Sequence, residues 1–180
     1  MTLVLRPHPS LPAVPGIVIE ALATRPNPAR LELRYVVTGD LGALYLPPAG
    51  QPARADELWK RTCFEVFVRP GTDEAYFEFN FAPTLWWAAY RFESYREGMA
   101  DAEITPPLIE AHTGGERFDL TVALDLPGWT AGQPWRLGLT AVIEDLTGEK
   151  SYWALAHAPG KPDFHHRDSF AYDLSPAEPA

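Results

Sequence analysis

The sequence predicts an all-β chain, an antiparallel β-sandwich of about nine to eleven strands. Two observations carry that expectation. Apolar residues alternate with polar ones in segment after segment, which is the period of a strand with one face turned inward and not that of a helix. The 19 prolines and 13 glycines are spread along the chain, where they punctuate short strands and would break long helices.

The elements follow in order. Leu31, Leu33, Tyr35 and Val37 alternate with Glu32, Arg34 and Val36. In DELWKRTCFEVFV, residues 56–68, the inward set is Phe64, Val66 and Val68. Ala75, Phe77, Phe79 and Phe81 alternate with Tyr76, Glu78 and Asn80. In FAPTLWWAAYRFESYREGM the neighbours Trp86 and Trp87 must face opposite ways, and Trp86, Tyr90 and Phe92 are assigned to the core. Phe118, Leu120, Val122 and Leu124 form a further set, and Trp135, Leu137, Leu139, Ala141 and Ile143 the last. The predicted core holds Phe64, Val66, Phe77, Phe79, Leu120, Val122, Leu137 and Leu139.

Turn signals separate these runs: RPGTDE at 69–74, TGGE at 113–116, LPGWTAGQP at 126–134 and LTGE at 146–149. Trp129 and Trp135 flank one turn and are expected to close an end of the fold. LPPAGQPARADE, 46–57, reads as a surface loop leading to Trp59, and SPAEPA, 175–180, as a frayed tail.

With 180 residues, 46% hydrophobic and 12% aromatic, the chain can bury one sizeable core, so 1–180 is read as a single domain. The net charge of −9, with no run of Lys or Arg, excludes a phosphate backbone as partner. The lone Cys63 can form no internal disulfide, and there is no CxxC or Cys/His cluster. Neither an export leader nor a membrane-length apolar stretch is legible, so a cytoplasmic location is expected.

Function is read from the residues that do not suit a plain strand. If Phe64 and Val66 face the core, Cys63, Glu65, Phe67 and Arg69 face away, together with Tyr76, Glu78 and Asn80 of the next strand. Trp59, Arg61, Glu65 and Asn80 then offer the chemistry of a sugar site. A flat apolar face stacks on a ring, while carboxylate, amide and guanidinium take vicinal hydroxyls. The plainer alternative makes Trp59 a core plug and Glu65 with Arg61 a surface ion pair.

SYWALAHAPGKPDFHHRDSFAYDL, 151–174, gathers His157, His165, His166, Lys161 and Asp163. A metal-dependent enzyme would need His157, His165 and Asp163 to converge, but their spacing matches no compact ligand motif. No GxSxG surrounds a serine, and Cys63 lies mid-strand. The expectation is therefore no catalysis, no metal and no cofactor.

LWKRTCFEVFV, AYFEFNFAPTLWWAAYRF and YWALAHAPGKPDFHHRDSFAYDL together resemble a DOMON-like domain, of the superfamily that includes family 9 carbohydrate-binding modules. The resemblance runs from about Trp59 to Leu174 and points to small bacterial single-domain proteins. It rests on a Trp, an acidic residue six positions on within an apolar strand, an aromatic hairpin partner and a closing FHxxxSF. It implies that Trp59 stacks on a sugar and Glu65 takes its hydroxyls. Where the sugar-binding relatives supply Asn and Trp before the final strand, this chain has Asp163, Phe164 and His165. Other members of the superfamily hold haem through Met and His, which here would be Met99 with His157 or His165. The candidate ligand site comprises Trp59, Arg61, Glu65, Asn80, Trp153, His157, Lys161, Asp163 and His165, and Arg61 with Lys161 would suit an acidic sugar.

Overall fold

The computed structural model describes residues 1–176, and for Trp129 the backbone alone; the last four residues of the predicted tail lie outside the described residues. The first strands are β1 (Leu3–Pro7), β2 (Val18–Thr24), β3 (Arg30–Thr38), β4 (Ala53–Arg54), β5 (Cys63–Pro70), β6 (Tyr76–Phe81) and β7 (Trp86–Phe92). Then come β8 (Ala100–Asp101), β9 (Leu108–Gly114), β10 (Arg117–Asp125), β11 (Trp135–Glu144), β12 (Lys150–Ala154) and β13 (Tyr172–Leu174). The four turn stretches read from the sequence connect β5 to β6, β9 to β10, β10 to β11 and β11 to β12.

The all-β class holds, with one difference in architecture. The strands form one continuous path, β4-β7-β6-β5-β11-β12-β1-β2-β3-β10-β9, with β13 added beside β11 and β8 beside β7. The sheet curls into a half-barrel. β1 makes the corner: Leu3, Val4 and Leu5 pair with β2, while Arg6 and Pro7 pair with β12. A strand that switches partners midway lets a twisted sheet turn back over its own concave face. Pairing is antiparallel except for the two-residue contact of β4 with β7, which is parallel.

All eight predicted core residues are buried inside the curl. Phe64 of β5 stacks on Phe118 of β10 at 5.6 Å and leans on Tyr35 of β3 at 5.3 Å, so opposite parts of the sheet touch across the core. The Tyr35 hydroxyl donates to the Glu65 carbonyl oxygen at 2.6 Å, which satisfies a buried polar group. Trp135 is fully buried, with the Arg25 guanidinium 3.5 Å from its ring centre.

Two sequence assignments are corrected. Trp86 is 46% exposed, and its neighbour Trp87 is the core residue. The reason is register: Trp87 stands opposite Phe81, whose side chain faces inward, so Trp87 must too. Tyr90 and Phe92 are buried as expected, but on the other face of the sheet. The 46–57 stretch, in turn, is not all loop, since it contains β4, and Asp56 accepts a hydrogen bond from Tyr90 at 2.7 Å.

That other face holds a second apolar cluster. Cys63, Phe67, Tyr76, Ala88, Tyr90, Phe92 and Val142 are covered there by Phe164 and Phe170 of the closing segment. Consequently every residue of β6, and all of β5 except Arg69, is buried.

Candidate functional site

The closing segment does not fill the space it covers. A cavity of about 330 Å³ remains between it and the outer face of β5 and β6, walled by Trp59, Phe67, Phe92, Tyr152 and Phe164, floored by Glu65 and Glu78, and edged by Arg96, Met99 and His165. A second concavity of about 350 Å³ lies over β2, β3, β9 and β10, but its ionisable groups, Glu32, Arg34 and Glu110, are exposed. Burying ionisable groups needs a physical reason, so the first cavity is the candidate site.

Trp59 reaches it from a short 3₁₀ turn, Leu58–Lys60. Glu57, in the left-handed region at φ 61°, starts the turn. Leu58 is buried beneath it, while half-buried Trp59 meets the edge of Tyr90 at 6.1 Å and shows its remaining surface to the cavity.

Glu65 stands opposite Asn80, and Phe67 opposite Glu78, so the two carboxyls are diagonal neighbours on one face of the β5–β6 pair. Glu65 accepts a hydrogen bond from the Thr140 hydroxyl at 3.3 Å, and Glu78 accepts one from the Asn80 amide at 2.8 Å. Burial first, then the neighbouring Glu78, push Glu65 well above the ordinary carboxylate range. Burial likewise lifts Glu78 to about 7, against the opposing effects of Asn80 and Arg96.

His165 lies edge-on to Phe67 at 5.0 Å and Phe92 at 5.1 Å. Its Nδ1 is 2.8 Å from the Tyr76 hydroxyl, and its Nε2 is 3.6 Å from Glu78 Oε2. Burial, with the Arg96 charge, lowers it to about 4, so the imidazole is neutral at pH 7. Tyr76 also accepts from the Arg96 backbone N–H at 3.2 Å, so its hydroxyl links the 92–99 stretch to the His165 ring.

At the rim, Arg96 holds Asp163 at 2.8 Å, and Asp163 also accepts from the Tyr95 hydroxyl and the His165 backbone N–H. Burial would raise Asp163, but these bonds outweigh it and keep the carboxyl below its ordinary value. This cluster ties the 92–99 stretch to the closing segment and so fixes the width of the mouth.

Of the residues singled out in the sequence, Trp59, Glu65 and His165 line one cavity. Asn80 lies behind the floor, bonded to Glu78, and Asp163 braces the rim. The other four are elsewhere. Arg61 lies over the Tyr45 ring and faces Glu144 at 3.5 Å. Trp153 points into the main core with its ring N–H on Ser151, because Tyr152, next to it on β12, takes the cavity side. His157 Nε2 bonds the Arg6 carbonyl oxygen at 2.8 Å, and Lys161 is exposed. Sequence reasoning offered Met99 only as a haem ligand and left Glu78, Phe92, Tyr152 and Arg96 out of the candidate site. For Glu78 and Tyr152 the parity of β6 and β12 was an available signal; for Arg96, which sits on a loop, there was none.

Among the described residues no three His, Cys, Asp or Glu side chains group as a metal-ligand set. Met99 and His165, the pair a haem would use, do share the cavity, but they do not fit that group. Both His165 nitrogens are engaged with Tyr76 and Glu78, and about 330 Å³ is at the small end of ligand pockets. Among the described residues no helix is long and apolar enough to cross a membrane.

No protein-family model and no curated protein matches this sequence. In structure the chain is similar to a protein from Bacteroides uniformis ATCC 8492 proposed to bind carbohydrate, with a TM-score of 0.66 and 15% identity over 98% of this chain and 86% of that one. At that identity the likeness shows the fold alone: this chain shares the all-β architecture of that protein.

Proposed function

We propose that the chain is a non-catalytic ligand-binding module for a sugar or sugar-derived molecule, of the DOMON-like kind that includes family 9 carbohydrate-binding modules. One observation carries the reading: Trp59, just ahead of β5, and Glu65, within it, open into the same small cavity, facing the aromatic side chains of Tyr152 and Phe164. Aromatic walls with a few buried acceptors suit a polyhydroxylated ring. The fold likeness to a protein proposed to bind carbohydrate supports this. An acidic sugar is not favoured, since Arg61 and Lys161 lie off the cavity and Arg96 is paired with Asp163.

Calorimetric titration with a panel of mono- and disaccharides, on wild type and Trp59→Ala, tests the reading. Binding by the wild type that Trp59→Ala abolishes while the fold survives is the expected result. A variant that unfolds, with no sugar bound by the wild type, would make Trp59 a structural plug.

One observation favours a second reading. His165 and Glu78, 3.6 Å apart inside the cavity, could pass a proton to and from a bound ring. NMR of each bound sugar over hours would reveal any conversion, which the binding reading does not allow.

A further inference from the structure

We infer that the sugar recognised by this cavity carries an amine, its ammonium seated between Glu65 and Glu78. The inference rests on the sugar-binding reading and deepens it. It starts from the charges. Of the ionisable groups that line the cavity, two are buried carboxyls, His165 is neutral at pH 7, and the single guanidinium, Arg96, is matched by Asp163 at 2.8 Å. The floor therefore has no cation of its own.

The hydrogen-bond inventory points the same way. Glu65 receives the Thr140 hydroxyl and the weak donor of the Cys63 thiol, and Glu78 one amide, from Asn80. Asn80 itself, opposite Glu65 in register and 0% exposed, has a carbonyl oxygen without a hydrogen-bond partner among the described residues. Two carboxyls thus face the cavity with the Asn80 oxygen behind them, and burial raises both, so the floor holds protons that an entering ammonium would displace. An unsatisfied buried acceptor costs stability, and a donor-only group relieves the most of it. An ammonium brings three donors, no acceptor and a positive charge; a hydroxyl brings one donor and two lone pairs. The walls add to this, because the faces of Trp59, Tyr152 and the phenylalanines are attractive to a cation.

The size of the cavity, about 330 Å³, admits one ring rather than a chain. The ligand class is accordingly an amino monosaccharide with a free amine. An N-acetylated ring loses both the charge and two of the three donors, and a phosphorylated one brings anionic oxygens against two carboxyls.

The test compares, by titration calorimetry at pH 7.5, the 2-amino-2-deoxy forms of glucose, galactose and mannose with their parent hexoses and their N-acetyl derivatives. The expected result is that at least one amino sugar binds tenfold or more tightly than its own parent and its N-acetyl form. Glu65→Gln and Glu78→Gln should each cut that preference, read as the ratio of amino-form to parent affinity in the same variant, to below threefold. If either variant fails to fold, the wild-type comparison decides alone. Parent and amino forms binding equally, or the parent more tightly, overturns the inference and leaves the sugar-binding reading standing. A folded wild type that binds no ring of the panel, nor any sugar of the wider screen, overturns both.

Discussion

Glu78 and His165 make a pair whose titration can be tested by removing one partner at a time. Glu78 is lifted from an ordinary 4.5 to about 7, and His165 lowered from 6.5 to about 4, in each case first by burial. At about 1.4 kcal/mol for each tenfold change in proton affinity, either displacement corresponds to on the order of 3 kcal/mol. In the wild type they cancel. Between about pH 4.5 and 6.5 the unfolded chain carries a proton on this histidine and none on this glutamate. The folded pair also holds one proton, whichever group carries it. Equal proton counts give no slope.

Glu78→Gln uncovers the histidine. Below 6.5 the unfolded imidazole takes a proton that the folded one refuses until about 4, so stability is lost as pH falls through that window. His165→Gln uncovers the glutamate. The folded carboxyl keeps a proton up to about 7 that the unfolded one has released, so stability is lost as pH rises from 4.5 to 7. Urea unfolding at half-unit steps from pH 4 to 7.5, with both substitutions made in a Glu65→Gln background because Glu78 shifts Glu65, and expressed relative to that background, cancels the remaining groups. The two difference curves should slope in opposite senses and cross, each spanning on the order of 3 kcal/mol. Parallel curves, or curves flat to within about 0.5 kcal/mol, would refute the reasoning.

Two further predictions concern how the sheet is packed. The buried Arg25 guanidinium donates to the carbonyl oxygens of Pro28, Thr130, Ala131 and Gln133 and lies over Trp135. Arg25→Ala should cost about 3 kcal/mol or more in chemical denaturation, and Arg25→Lys should recover little, since an ammonium cannot reproduce a planar fork; full recovery by lysine would refute the staple. On β12, Trp153→Ala should lower stability by about 3–5 kcal/mol, whereas Tyr152→Ala should cost less and weaken ligand binding. The opposite ranking in paired melts and titrations would reverse the two faces.

The sequence showed which residues share a face and was silent on which face is inward when both are apolar. The sets through Phe64, Phe77, Leu120 and Leu137 were legible because polar residues alternate with them. In β7 both parities are apolar, so only the opposition of Trp87 to Phe81 decides. The Trp59–Glu65 half of the site was legible from a local pattern. Arg61, His157 and Lys161 were chosen for their chemistry alone, and nothing in a one-dimensional spacing gives the distances that place Arg61 on Glu144 or His157 on the Arg6 carbonyl. The corner at β1 was hidden for a similar reason: a strand that serves two partners in turn and ends at a proline looks like a tail.

The outer face of β5 and β6 carries the strongest physical reason for function. Phe67, Tyr76, Phe92, Phe164 and Phe170 would make a dry second core by themselves. Setting Glu65 and Glu78 at its centre removes two carboxyls from water with few donors to meet them, and the upward displacement of both groups records that cost. Replacing buried ionisable groups with apolar side chains of similar volume is often neutral or stabilising, so packing gives no reason for keeping them. Nor does the rim neutralise them, since its Arg96 is committed to Asp163 and His165 of the closing segment is neutral at pH 7. What the two carboxyls lack is what a ligand rich in donors would bring, and the cavity over them is the place where it would enter.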